Sequence, residues 1–195
     1  MRKGNLGASL AELLIASSLF FMLSLALFQV MQTGSDFLRR SEASLDMQKE
    51  LLLSLTWIHK DMSESSAALF VREADGMVFA SPRDLDDQLR LDGVGRLMWQ
   101  RVVAYYLEER AGVPCLIRKE RAITASANPP TLPSLDEMRS DSSLPPRVLA
   151  RNVQRFEGAD VVRADVPYAI TVYCAKEVGG REFGTRAETS VFFRN

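Results

Sequence analysis

Glu12 is the one charge in an apolar run from Ala8 to Met31, and it stands five residues after Gly7. A carboxylate at the edge of a membrane-length segment raises the free energy of insertion by about 1–3 kcal/mol. Such an acid needs a partner or a task. The chemistry open to it is charge pairing in low-dielectric surroundings, where a paired charge is tolerable and a lone one is not. Cys115 and Cys174 are the only cysteines. Outside the cytoplasm they can form a disulfide. Two separate buried thiols fit the sequence equally, because spacing alone does not bring the sulfurs within bonding distance. His59 is the only histidine; it falls on an amphipathic helix, at a core edge or on a solvated face, without partners for catalysis. Asp84, Asp86, Asp87 and Asp92 make an acidic cluster that lacks the ligand spacing of an EF-hand, and it reads as a solvated loop. The chain has no Cys-x-x-Cys, His-Glu-x-x-His, Gly-x-Ser-x-Gly or phosphate-binding loop, so catalytic residues, cofactors and metal ligands are not expected.

The elements that must position these residues follow from pattern and charge. The apolar run is long enough to cross a bilayer as a helix, which takes about 20 residues, and longer than the apolar core of a secretory signal. Gln32 to Asp36 behind it carry no small-residue cleavage site. It reads as a retained anchor over 8–31, with Arg2 and Lys3 placing the N-terminus in the cytoplasm by the positive-inside tendency. The remainder suffices for one extracytoplasmic domain. Lys and Arg number 24 against 25 Asp and Glu, interspersed, and no basic stripe points to nucleic acid.

Beyond the anchor a helical period continues. One row is Leu38, Leu45 and Leu52; a second is Ser41, Gln48, Leu55, Met62 and Leu69, widened by Leu51 and Ile58. The pattern predicts one helix from residue 9 to about 67, loosened near Gly34, with an amphipathic extension over 32–70. After Gly76 strands are predicted at 77–81, 97–108, 115–119, 168–175 and 189–194. Loops are predicted at 84–96, across the glycines of 177–185, and over 125–146, where five prolines make a long, mobile surface loop. Val148 to Phe156 fits helix or strand. Trp99, Tyr105, Tyr106, Phe192 and Phe193 are read as sheet-core aromatics. The sum is an α+β chain: a long N-terminal helix packed on a small antiparallel sheet of about four strands, within a β-rich domain over 71–195.

The string Gly7-Ala8-Ser9-Leu10-Ala11-Glu12-Leu13-Leu14-Ile15-Ala16, behind a short basic leader, resembles the class III signal of type IV prepilins and type II secretion pseudopilins. In that family a prepilin peptidase cuts after the glycine and methylates the new amine, and a glutamate holds the fifth mature position. The resemblance implies a leader over 1–7, cleavage between Gly7 and Ala8, N-methylation at Ala8, and Glu12 as the assembly glutamate. Ala8 stands where the family usually has phenylalanine, Ala11 where it has isoleucine or valine, and the common mid-anchor proline is absent. Further on, the chain resembles the larger minor subunits, the J-type pseudopilins and W-type minor pilins. The likeness lies in the stretch from Gln48 to Asp61-Met62, in Val103 to Tyr105 ahead of Leu116 to Arg118, and in the terminal Arg194-Asn195.

The resemblance implies a pilin-like fold and a subunit that works by assembly, at or near the tip of a pilus or secretion pseudopilus. Its partners would be other pilin or pseudopilin subunits, the prepilin peptidase, the inner-membrane assembly platform and the membrane. In a filament, Glu12 would neutralise the free amine of a neighbouring subunit. The rival within the same architecture is a major pilin. From other classes come a single-pass, unprocessed binding or sensor domain and an extracytoplasmic enzyme, the last with no residue set behind it.

Overall fold

The computed structural model describes residues 9–159, 162–163 and 165–194. The chain divides into two compact units, the first through Ala43 and the second from Ser44. Helix α1, Leu10–Ser63, begins in the first unit and ends in the second. In the first unit every large apolar side chain from Leu10 to Leu38 is exposed. The most apolar stretch of α1 has a mean hydropathy of 2.2, none of it buried, and is long and apolar enough to cross a membrane. Its hydroxyls bond back onto the helix. Ser17, Ser18, Ser24 and Thr33 donate to carbonyls three or four residues earlier, at 2.8–2.9 Å, which is how hydroxyls are satisfied where water is absent. The helix passes through Gly34 without a break.

In the second unit α1 buries Met47, Leu51, Leu55, Ile58 and Met62, steps of three and four residues that keep one face inward. Leu55 and Met62 belong to the second predicted row and Leu51 and Ile58 are its two widening residues, but Gln48 of that row is exposed and Met47 is buried in its place. The other row stays out: Leu45 and Leu52 are each 64% exposed. The helix stops at Ser63, earlier than the periodicity predicted, because the 3₁₀ turn Ala67–Leu69 and strand β1 (Phe70–Glu73) follow at once.

The β structure is larger than expected. Among the described residues eight strands form two sheets, not one sheet of about four. The first sheet is a meander of five antiparallel strands in chain order: β1, β2 (Gly76–Ser81), β3 (Trp99–Arg110), β4 (Val113–Ser126) and β5 (Arg147–Arg151). The second holds β6 (Val153–Gly158), β7 (Tyr168–Val178) and β8 (Arg181–Val191). The ambiguous stretch 148–156 is two strands. Asn152 between them has φ 58°, a left-handed turn that asparagine tolerates, and it carries the chain from one sheet to the other. The glycine-rich loop predicted at 177–185 shrinks to Gly179 and Gly180, with φ of 61° and 72°. Two positive φ values suit the tight hairpin between twisted strands, and the rest of that segment is the end of β7 and the start of β8.

Strand β3 is buried on both faces, so its apolar residues run on instead of alternating. Val103 and Tyr105 join Met77, Phe79, Leu116 and the helix in one core, with Phe156, Tyr168, Ile170, Val172 and Phe193 of the second sheet and C-terminus. Val102, Ala104 and Tyr106 face a second core with Val78 and Ile117. The proline-rich segment closes that core. Instead of one bare surface loop it contains α2 (Leu135–Ser140), whose Leu135 and Met138 are buried there. Ser134 caps α2 through the Glu137 amide at 3.2 Å, and the Lys119 ammonium closes its other end by donating to the carbonyls of Met138, Arg139 and Asp141. Of the predicted core aromatics Phe192 is the exception, at 62% exposure, because the chain leaves β8 with Phe193 facing inward.

Candidate functional site

Gly7 and Ala8 lie outside the described residues. Glu12 lies just inside them, in the first turn of α1. Its carboxylate accepts from the Ser9 amide at 2.8 Å, and its own amide donates to the Ser9 hydroxyl at 3.3 Å. This is a capping box: two amides that the helix leaves without partners are satisfied reciprocally. The carboxylate also sits at the positive end of the helix dipole. Glu12 therefore has a local task before any second molecule arrives. The signal is present in the sequence as Ser9-x-x-Glu12 ahead of an apolar run.

The second concentration of charge lies in the second unit, and composition gave no hint of it. Asp61 falls on the buried face of α1 and is 1% exposed. Tyr105 of β3 donates its hydroxyl to Asp61 Oδ2 at 2.6 Å, and Arg118 Nε of β4 donates to the same oxygen at 2.7 Å. Arg101 Nη2 of β3 reaches Oδ1 at 3.2 Å. Both arginines are 3% exposed, and both also pair with Glu120, at 3.1 and 2.9 Å. Two carboxylates against two guanidiniums leave the cluster neutral, which is the condition for burying charge. Burial pushes the Tyr105 hydroxyl well above its ordinary range, and the charge of Asp61 adds to it, so the phenol stays a donor. Burial works against the Arg118 cation, but Tyr105 and Asp61 outweigh it and the guanidinium is held more firmly protonated. Asp61, Tyr105 and Arg118 come from three separate short patterns of the sequence, and the fold brings them to one point.

Around this cluster the acidic loop acts as a clip rather than a free solvated loop. Asp87 pairs with Lys60 of α1 and with Arg101. Arg83 holds Glu64 through two bonds of 2.5 Å and the Asp87 carbonyl at 2.7 Å. Asp84 and Asp92 accept amides of their own turns, Asp84 from Asp86 and Gln88, Asp92 from Val94 and Arg96. The carboxylates are thus engaged by turns and cations, and among the described residues no group of histidine, cysteine or carboxylate side chains is arranged for a metal ion. Trp57 of α1 carries Arg147 over its ring at 4.3 Å and Arg118 at 5.4 Å, so cation–π contacts continue the clamp on the helix.

Cys115 and Cys174 are free thiols, both buried. No disulfide joins them, because Cys174 lies in the core shared by helix and second sheet and Cys115 in the core under α2. His59 is exposed, on the solvated face of α1. In chemical terms the cluster around Asp61 fastens the end of α1 to the first sheet, while the Ser9–Glu12 cap closes the start of a helix whose first-unit apolar side chains are exposed among the described residues. No family model matches this chain, and no curated protein or solved structure matches it either.

Proposed function

We propose that this chain is a pilin-like subunit, a minor component of a type IV pilus or a type II secretion pseudopilus, made as a precursor and cleaved between Gly7 and Ala8 by a prepilin peptidase. The observation that carries the reading is the placement of Glu12: the single carboxylate at the head of an exposed helical stretch that is otherwise free of charge to Met31, behind Gly7 and two cations. Cleavage removes Arg2 and Lys3 and creates an amine on Ala8, next to the capping residue Ser9. N-methylation of Ala8 leaves that amine basic, so it still carries charge. In the assembled filament, Glu12 neutralises the Ala8 amine of a neighbouring subunit, and the exposed apolar faces of α1 pack against other subunits instead of lipid. Before assembly the same helix anchors the subunit in the inner membrane, with the second unit outside the cytoplasm and the assembly platform as its first partner.

A second reading has an observation of its own. The Ser9–Glu12 capping box satisfies the carboxylate within the chain, as an unprocessed single-pass anchor carrying a binding or sensor domain requires. Two measurements separate the readings. Intact mass of the membrane-extracted protein, from cells with and without a prepilin peptidase, should show loss of Met1–Gly7 and one added methyl group only when the peptidase is present. Glu12→Gln preserves the capping box, which accepts glutamine, but removes the charge. It should insert and be cleaved normally, yet enter filaments poorly. A full-length N-terminus in the presence of the peptidase, or normal incorporation of Glu12→Gln, would favour the anchor.

A further inference from the structure

Strand β8 lies at the edge of the second sheet and pairs only with β7 among the described residues. The pairing runs in unbroken register over all 11 residues, Arg181 to Val191. Natural edge strands are usually kept short, bulged, or interrupted by proline or lysine, since an open row of amides and carbonyls invites another strand. β8 is long, unbulged and free of proline and lysine, and the charges it carries at the edge, Glu182, Arg186 and Glu188, are of both signs. On its inner face Phe183 and Ala187 are only partly buried against the core. On its outer face the charges form cross-strand rows: Arg186 stands opposite Tyr173 and, beyond it, Arg155, while Glu188 stands opposite Thr171 and, beyond it, Glu157. A cationic row thus lies beside an anionic one.

We infer that the β8 edge pairs antiparallel with the β8 edge of a second copy of this chain, giving one continuous sheet with three strands from each copy and Ala187 on the two-fold axis. In this register Arg186 of each copy faces Glu188 of the other, so the Arg155–Tyr173–Arg186 row continues into a Glu188–Thr171–Glu157 row. Unlike charges directly opposite stabilise a strand pair and like charges weaken it. Moving the axis to Arg186 or to Glu188 sets that residue against itself, and moving it to Thr185 sets Glu182 against Glu188. An axis at Gly184 would oppose Glu182 to Arg186, but it leaves Glu188 to Val191 without strand partners. The Ala187 axis pairs Phe183 to Val191 throughout with no like charges opposed, including Thr185 with Thr189 and Phe183 with Val191 on the inner face. The contact is isologous and closed, so it yields a dimer and not a fibre. It stands apart from the leader and from Glu12, and its test does not depend on processing.

The test uses the full-length chain in detergent or nanodiscs, with association followed by sedimentation over a concentration series. The wild type should dimerise. Arg186→Glu and Glu188→Arg should each weaken dimerisation by roughly tenfold or more, since each sets like charges opposite twice, and the double exchange should restore it. Ala187→Cys, opposite itself on the axis, should form an intermolecular disulfide under mild oxidation, and Thr185→Cys, opposite Thr189, should not. Circular dichroism of each variant reports whether it is folded. A protein that stays monomeric, single variants that associate like the wild type, or a double exchange as weak as the single ones would overturn the interface. A dimer held only by α1 would survive all the charge changes and is rejected by the same series.

Discussion

The Tyr105 hydroxyl and the Asp61 carboxylate meet at 2.6 Å across 44 residues of sequence, both wholly buried. The bond joins the helix to the middle strand of the first sheet, and Arg101 and Arg118 complete the contact from β3 and β4. A buried pair of this kind contributes little compared with apolar packing of the same volume, yet breaking it on one side is costly.

That asymmetry fixes the first prediction. Asp61→Asn keeps the shape but leaves two buried guanidiniums with no fully buried carboxylate, only the partly exposed Glu120 and, for Arg101, Asp87. The loss should be about 3–5 kcal/mol. Tyr105→Phe removes one donor and leaves Asp61 held by both arginines, and should lose about 1–2 kcal/mol. Denaturant unfolding followed by the fluorescence of Trp57, which lies against Arg118 and Arg147, measures both. Equal losses would mean that the arginines are neutralised by something other than Asp61.

Acid should loosen the clip between α1 and the acidic loop. Burial works against the ionised Asp87 carboxylate, but Lys60 above all, then Arg83 and Arg101, hold it below its ordinary range. A lowered folded-state value means stability that is present above the ordinary carboxylate pKa of about 3.9 and is lost as pH falls through the folded value. Because the Asp87 side chain is 39% exposed, the effect is modest. Asp87→Asn should melt below the wild type at neutral pH, and the gap should narrow and then vanish as pH falls below about 3.9 and through the lowered folded value. A gap that is unchanged in acid would show that packing, and not charge, holds the loop.

The two thiols should be silent in the folded protein. Burial, and then the nearby charge of Glu50, pushes the Cys174 thiol up to about 12, and burial raises Cys115 as well. Reactivity requires the thiolate and access to it. At about pH 8 neither should react with a thiol reagent until denaturant is added, and then both should. Oxidation should not cross-link them in the native state. Rapid labelling of Cys174 without denaturant would mean that the helix-side core opens.

Two glycines should respond differently to alanine. A Cβ at Gly76 would meet the Tyr105 carbonyl oxygen at 2.2 Å and Tyr106 Cβ at 2.9 Å, within the β2–β3 pairing. Main chain cannot yield cheaply there, so Gly76→Ala should destabilise by about 1–3 kcal/mol. At Gly184 the obstacle is the end of the Tyr173 side chain, at 2.2 Å on the outer face of the second sheet, and that ring can swing away. Thermal melts of the two variants should rank Gly76→Ala clearly lower.

How far the sequence could be read depended on the range of the forces concerned. Hydropathy and helical period are local, and they located the apolar half of α1, the inward row Leu51, Leu55, Ile58 and Met62, and strands β2, β3 and β7. The Ser9–Glu12 cap was equally local and would have been found by looking three residues back from Glu12. The length of β4 and β8 was not visible, because Glu120, Arg121, Arg186 and Glu188 look like loop residues until neighbouring strands fix their pairing. Within 125–146, Leu135 and Met138 become a helix face only because the first sheet offers them Val78, Tyr106 and Ile117.

The sequence by itself determined an uncharged helix of membrane length with one carboxylate at its head, two cysteines without a motif, and a β-rich remainder. These rest on composition and on neighbours within a few residues, where backbone geometry alone decides who meets whom. Tertiary structure decided that Asp61, Arg101, Tyr105 and Arg118 share one buried site, that the cysteines lie in separate cores, and that the strands split into two sheets at Asn152. Each of those outcomes pairs residues tens of positions apart, and only the closure of the chain around a common core sets such distances.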